Sequence, residues 1–314
     1  MASSFKQTLR RWALDAGITS LASRRIKGVR MLMHHGVGEG EGYDAAALDR
    51  QIAWLKARHP IMAFHEVATS LRQGRSLPDF AIVLTFDDGL RNNLTEAYPV
   101  LLKHQAPATF FVCPALIDAG QWIWTYEVRE RLKSLSQEQL RALATRCSGK
   151  ACDTLDAFVS WMKKQPNAGR LEALEAVRSA TSSFEITETH RREYDLASWD
   201  ELAALDNRLI TIGSHTLSHP ILSSLAGGEL ENELKGSKQA LLAKGLMTED
   251  KAFLCYPDGN YDKRVLACAE RHYSAACSTR KGLIASTSPV FAMPRIGANS
   301  ALEDVAWRLW RPAA

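Results

Sequence analysis

Two clusters of polar residues stand at the ends of apolar runs, and their types suit hydrolysis at a metal ion. The first, Asp87-Asp88-Gly89, follows Ala81-Ile-Val-Leu-Thr-Phe86. That run reads as a short strand buried on both faces, as in a parallel sheet. Adjacent carboxylates at the end of a buried strand repel each other and lose hydration, so they need a compensating charge. The plainer alternative is that one of them caps a helix beginning near Leu90, with Gly89 easing the turn. The second cluster is Gly213-Ser-His-Thr-Leu-Ser-His-Pro220, directly after the strand-like run 209–214. If the chain enters a helix there, His215 and His219 at i and i+4 share one face. Two imidazoles and one carboxylate make a three-ligand metal site with positions open for water and substrate. One acid of the pair would then be a ligand, and the other would stay free as a base toward an attacking water.

Two more strand ends carry polar residues. In Phe253-Leu-Cys-Tyr-Pro-Asp-Gly-Asn-Tyr-Asp262, Pro257 and Gly259 flank Asp258 in a tight turn whose backbone N–H groups can face a cavity. In Met31-Leu-Met-His-His-Gly-Val37, His34 and His35 end a first strand. A lone histidine there is more often structural, but four strand ends now supply polar groups. In parallel β/α barrels the active site lies at the C-terminal ends of the strands.

The elements that must position these groups follow from the hydrophobic pattern. Strand-like stretches lie at 29–34, 79–86, 107–113, 209–214, 252–256, 273–279 and 290–295. Between them, Leu48, Ile52 and Leu55 mark one amphipathic helix, and Leu230, Leu234 and Leu241 another. Alternating strands and helices imply parallel βαβ units, in a doubly wound sheet or a barrel. Residues 115–197 break this rhythm with a charged, helical pattern containing Trp122, Trp124 and Trp161. An insertion of that size reads as a cap or lid. Its tryptophans suggest a wall for sugar rings or lipid, with core packing weightier for Trp161.

Of the 314 residues, 46% are hydrophobic and 24% charged, as in an ordinary soluble globular protein. No run of 18 apolar residues marks a membrane span, and no secretory pattern is visible. Six scattered cysteines read as thiols of a reducing compartment, so the expected location is cytoplasmic. Residues 1–30 hold seven Lys or Arg against one acid, Asp15, so a chain of net charge +4 carries +6 there. Phe5, Leu9, Trp12 and Ala16 fall at helical spacing in that segment. Such a helix either lies on an anionic inner membrane face, as a peripheral contact, or packs on the body with its charges solvated. Nucleic acid is not an expected partner, because no basic patch interleaved with aromatics occurs elsewhere.

In this order, TFDDG (85–89), TFF (109–111), SHTLSHP (214–220) and YPDG (256–259) resemble the polysaccharide deacetylase superfamily, the NodB-homology or carbohydrate esterase family 4 domain. The resemblance covers roughly residues 29–114 and 198–298. It implies an α/β fold, a distorted (β/α)7-type barrel over 29–314, with the helical insertion at about 115–197 and the basic amphipathic segment 1–28 ahead of it. It also implies a divalent metal, zinc above all, and removal of N-acetyl groups from an amino sugar. Carried over residue by residue, it makes Asp87 the general base and Asp88, His215 and His219 the metal ligands. Two positions depart from the family pattern. Cys255 stands where many members have the arginine of RPPYG, and Arg295, in Met293-Pro-Arg-Ile296, is the candidate substitute for orienting the base. The usual C-terminal catalytic histidine is missing, since none follows His272. The segment around His35 resembles the strand that opens a circularly permuted branch, in which an N-terminal histidine is the acid. That gives the role to His35, with His34 where relatives carry a tyrosine. Tyr256, Asp258 and Trp124 complete the set as candidate substrate or oxyanion contacts.

The implied substrate is an N-acetylated glycan or lipid-linked glycan precursor. Deformylation of a lipid-linked amino sugar is the nearest alternative, and an inactive sugar-binding module is another. A two-histidine, one-carboxylate site also suits non-haem Fe(II) oxygenases, but their usual antiparallel scaffold and HxD spacing are both missing.

Overall fold

The computed structural model describes residues 2–23, 27–38 and 43–311. Seven strands form one sheet: β1 Arg30–His34, β2 Ile82–Phe86, β3 Ala108–Val112, β4 Ile210–Ser214, β5 Phe253–Cys255, β6 Ala275–Cys277 and β7 Ile296–Gly297. Every pairing is parallel, in the order β6-β5-β4-β3-β2-β1-β7. This is the half-barrel of a (β/α)7 architecture. β2 and β3 are buried at every position, which is why their sequences run apolar without alternation.

Side chains alternate between two apolar layers. Met31, Val83, Phe111, Phe253, Cys255, Ala275 and Cys277 fill the inner layer. Leu32, Leu84, Phe86, Phe110, Ile212 and Leu254 face the covering helices. Those helices include Ala45–Lys56, capped by Asp44, and Lys263–His272, capped by Asp262.

The last strand differs from the expected 290–295. Met293 bridges Cys277 of β6, and three residues later Ile296 pairs with Leu32 of β1. The segment therefore crosses the gap between the two sheet edges, and it joins β1 only at its far end. Arg295 lies in that crossing.

Between β3 and β4 come helices Pro114–Ala119, Trp124–Lys133, Gln137–Ser148, Leu155–Met162, Asn167–Ala180, Glu188–Tyr194 and Trp199–Ala203. Trp124, Val128, Leu132, Leu143, Phe158 and Val177 give the inserted helices a small core of their own, with Trp161 partly buried against it. At the N-terminus, helices Ala2–Asp15 and Ile18–Ser23 pack on the final helix Leu302–Trp310, with Arg10 paired to Asp304 at 2.5 Å. Leu9, Trp12, Ile18 and Leu21 on these helices are exposed. The Phe5 side chain and residues Arg24 and Arg25 lie outside the description. Among the described residues no helix is long and apolar enough to cross a membrane.

Candidate active site

The backbone separates the two neighbouring carboxylates. Asp88 has φ +73° and Gly89 φ +71°, so the chain turns sharply after β2 instead of entering a helix, and neither acid is a helix cap. Gly89 is required there. A Cβ would sit 3.0 to 3.2 Å from Val112, in a left-handed conformation that side chains resist. Asp87 continues the inner face of β2, and Asp88 swings toward β4.

Asp87 is 2% exposed and meets Arg295, which is 1% exposed. The two Nη atoms of Arg295 donate to the two carboxylate oxygens, each at 2.7 Å. The other donors of the guanidinium reach Thr85 Oγ1 at 3.0 Å, Ser278 O at 3.0 Å and Cys255 Sγ at 2.9 Å. All five N–H groups are thus used, which fixes the plane of the fork. Burial favours a neutral acid at Asp87, but the guanidinium beside it holds the carboxyl below the usual range. Burial also pushes the Cys255 thiol well up, so a neutral thiol stands 3.5 Å from Asp87.

His215 and His219 are not on a helix. The chain after β4 is a loop with Thr216 at φ +69° and His219 at φ +57°, and it stacks the two rings edge to face at 4.8 Å. The i, i+4 helical expectation is therefore corrected: left-handed turns bring the rings together. Asp88, Thr216, His219 and Asp258 are four of the six non-glycine residues with positive φ among those described. Strain of that kind gathers at functional sites.

The donor set Asp88, His215 and His219 suits a divalent cation. Asp88 Oδ1 lies 3.4 Å from His215 Nε2 and 3.5 Å from His219 Nε2. His215 Nδ1 is 2.8 Å from Cys255 O, and a carbonyl only accepts, so Nδ1 carries a proton and Nε2 is the nitrogen that faces Asp88 and a cation. His219 is pushed down to about 4, first by burial and then by His215, which keeps its imidazole neutral. Burial opposes the charge on Asp88, yet the three nearby histidines hold its carboxyl far below the usual range. One carboxylate and two imidazoles, all buried, bring their ligand atoms within 4.8 Å of one another. Burial opposes charge on His215, but Asp88 and Asp87 beside it raise its imidazole above the usual range, and a cation would take the place of that proton. Among the described residues, the two other clusters of ligating types fit less well. Asp87 already has a guanidinium on both oxygens. Glu231 accepts from Arg271, His272 and Cys268, which occupies its lone pairs.

The two histidines ending β1 part company. His34 is fully buried in the outer layer, stacked on Phe86 at 4.7 Å and 2.9 Å from Gln51 Oε1. His35 is half-buried on the inner side, and its backbone N donates to Asn299 Oδ1 at 2.8 Å. Its positive form acts on both Asp87 and Asp88.

Three expected contacts sit differently. The Tyr256 ring is fully buried, with its hydroxyl donating to Phe291 O at 2.9 Å and its backbone N–H to Cys277 O, so it offers no donor to a substrate. The Asp258 side chain is exposed and paired with Lys163 of the insertion. Trp124 is 4% exposed, covered by Arg170 at 5.2 Å, and its Nε1 donates to His219 O at 3.1 Å. A covered ring offers no face to a sugar, so Trp124 supports the histidine loop instead. Sequence reasoning missed Thr85, whose hydroxyl donates to Leu32 O at 2.8 Å while accepting from Arg295, although its place in TFDDG was visible. It also missed Tyr126, whose hydroxyl donates to Asp88 Oδ2 at 2.6 Å. No pattern in the insertion marks that residue.

A parallel half-barrel with these groups at its strand ends defines a class, and the chain belongs to the polysaccharide deacetylase family, whose profile matches residues 74–147 and 167–275. Over 81 residues it is 33% identical to the poly-beta-1,6-N-acetyl-D-glucosamine N-deacetylase of Escherichia coli K12, which is 26% of this chain but only 11% of that protein's length. It is 19% identical over 281 residues to the Bacillus subtilis protein YxkH, covering 88% of this chain and 74% of that one. The deacetylase PplD of Streptococcus pyogenes, solved in complex with acetate, has the same fold: TM-score 0.55 at 18% identity, over 89% of this chain and 96% of that one. IcaB from Ammonifex degensii does too, with TM-score 0.56 at 16% identity over 90% and 98% of the chains.

Proposed function

We propose that this protein is a metal-dependent hydrolase that removes N-acetyl groups from an amino sugar of a glycan or lipid-linked glycan precursor. The observation that carries the reading is the convergence of Asp88, His215 and His219 beside an Asp87 held ionised by Arg295. A divalent cation at the three ligands, zinc being the best match to their nitrogen and oxygen donors, would polarise the acetyl carbonyl and acidify a water. Asp87 would take a proton from the attacking water as the water oxygen reaches the carbonyl carbon. In the 256–259 turn Pro257 has no N–H, and the N–H groups of Tyr256 and Gly259 go to Cys277 O and Tyr256 O, so the Asp258 N–H is the donor left for the developing oxyanion. His35, protonated, gives its proton to the amide nitrogen as the C–N bond breaks, so acetate and a free amino sugar leave. A polar groove lined by Val37, Asn92, Arg192 and Glu193 adjoins the loop after His35 and offers partners for sugar hydroxyls.

The test is release of acetate from N-acetylated sugars presented free, nucleotide-linked and lipid-linked, with Asp87→Asn as control. Release of formate in place of acetate would move the reading to deformylation. If neither acid is released from any substrate that binds, the chain is a sugar-binding module. The location is part of the same proposal: a cytoplasmic protein touching an anionic membrane face. Exposed Leu9, Trp12, Ile18 and Leu21 beside exposed Lys6 and Arg11 support it. Cosedimentation with anionic vesicles, lost in neutral ones and in Leu21→Ser/Trp12→Ser, checks it.

A further inference from the structure

We infer that the helical insertion is a built part of the metal site, in which Tyr126 positions Asp88 and Trp124 positions His219. The inference rests on the assignment of Asp88, His215 and His219 as ligands. Asp88 has two oxygens with separate tasks. Oδ1 faces the two imidazole nitrogens, at 3.4 and 3.5 Å, while Oδ2 accepts the Tyr126 hydroxyl at 2.6 Å. A carboxylate free to turn would present either oxygen, or both. The bond to Tyr126 breaks that symmetry and leaves a single oxygen for the cation. Two residues earlier, in the same helical turn, the Trp124 indole donates to His219 O at 3.1 Å and steadies a residue at φ +57°.

The supports are themselves held. Tyr126 stacks on Tyr194 at 5.0 Å and 25°, and the Tyr194 hydroxyl donates to Glu130 Oε1 at 2.8 Å, on the helix that carries Tyr126. Trp122 packs on Tyr194 at 5.4 Å and donates to Asp195 Oδ1 at 2.8 Å. Arg170 lies over the Trp124 ring, and the ring is buried in the core of the insertion. Two of the three ligands therefore take their orientation from one helical turn outside the barrel. Outer partners of this kind tune ligand orientation and basicity, and losing one costs about 10–100-fold in metal affinity.

The experiment measures the Zn2+ dissociation constant of the full chain by competition with a chelating dye. It compares the parent, Tyr126→Phe, Trp124→Phe and, as reference, Asp88→Asn. Melting temperatures of the metal-free proteins are read alongside. Tyr126→Phe keeps the ring on Tyr194 and removes only the hydroxyl. We expect it to weaken zinc about 10–100-fold with little change in the metal-free melting temperature. Trp124→Phe weakens zinc as well and keeps the inference testable if the first variant folds poorly. A lowered melting temperature with zinc affinity at the parent value in both variants would mean that the aromatic pair is packing alone, and would overturn the inference. Asp88→Asn separates the two levels. If it abolishes tight binding while the aromatic variants bind like the parent, only the role of the insertion fails. If Asp88→Asn itself binds like the parent, the ligand assignment fails and the inference with it.

Discussion

Replacing Arg295 by methionine probes the centre of the proposed site. The guanidinium makes two 2.7 Å bonds to Asp87, with both groups almost fully buried. Methionine fills similar volume but leaves the carboxylate in the inner layer without its partner. Removing one member of a buried pair costs about 3–5 kcal/mol, mainly because the other charge is stranded. The pH dependence has a definite sign. In the parent, the Asp87 carboxyl is depressed below its unfolded value of about 4, so its stabilising contribution is present above that pH and is lost on further acidification. In the variant the main opposing charge is gone and burial raises the carboxyl. The contribution is then present at low pH and is lost as pH rises through the raised value. The stability gap between parent and variant should therefore widen as pH rises from about 4 toward 7, and narrow only on acidification below about 4. Urea unfolding of the metal-free proteins at pH 4.5, 5.5 and 7 measures it. The double variant Asp87→Asn/Arg295→Met should be more stable than the sum of the single losses, since no charge is left alone. Activity should fall on the order of 10²–10⁴-fold, the worth of a correctly ionised base. A gap below about 1 kcal/mol at pH 7, or one that does not vary with pH, would refute the reasoning.

Other substitutions test the remaining parts. His215→Ala and His219→Ala should each lose bound metal and activity while staying folded, and a full metal equivalent in both, by elemental analysis, would show the ligands to be wrongly assigned. His35→Ala should keep metal and fold but lose about 10²-fold or more in kcat on the amide, while an ester with a good leaving group is cleaved nearly as well as by the parent. His34→Ala should leave kcat close to the parent and instead lower the melting temperature, because it removes the stack on Phe86 and leaves Gln51 Oε1 without its partner. Burial pushes His34 down to about 4, so the parent should lose stability as pH falls from about 6.5 toward 4, and that loss should shrink in the variant. Gly89→Ala should cost more than about 1 kcal/mol, because φ is +71° and Val112 fills the space, and chemical denaturation reads this directly.

The amino-acid sequence by itself determined the α/β class, six of the seven strands to within about three residues, and the motifs that meet at the site. These were legible because each is local. An apolar run flanked by turn residues is a buried strand wherever it lies, and parallel connections send strand ends to one side. Alternation along β1 likewise allows only one of His34 and His35 to face inward. What only the tertiary structure decided is long-range or depends on strained backbone. The pairing of Asp87 with Arg295 spans 208 positions and exists because a short segment crosses the seam of the sheet. The two histidines meet through left-handed residues at 216 and 219, which helical spacing does not anticipate. Tyr256 and Trp124, read as substrate contacts, turned inward because an aromatic ring gains more from a core than from an open groove. Tyr126 reaches Asp88 only because helices inserted between β3 and β4 fold back over the strand ends, a packing outcome that no local pattern encodes.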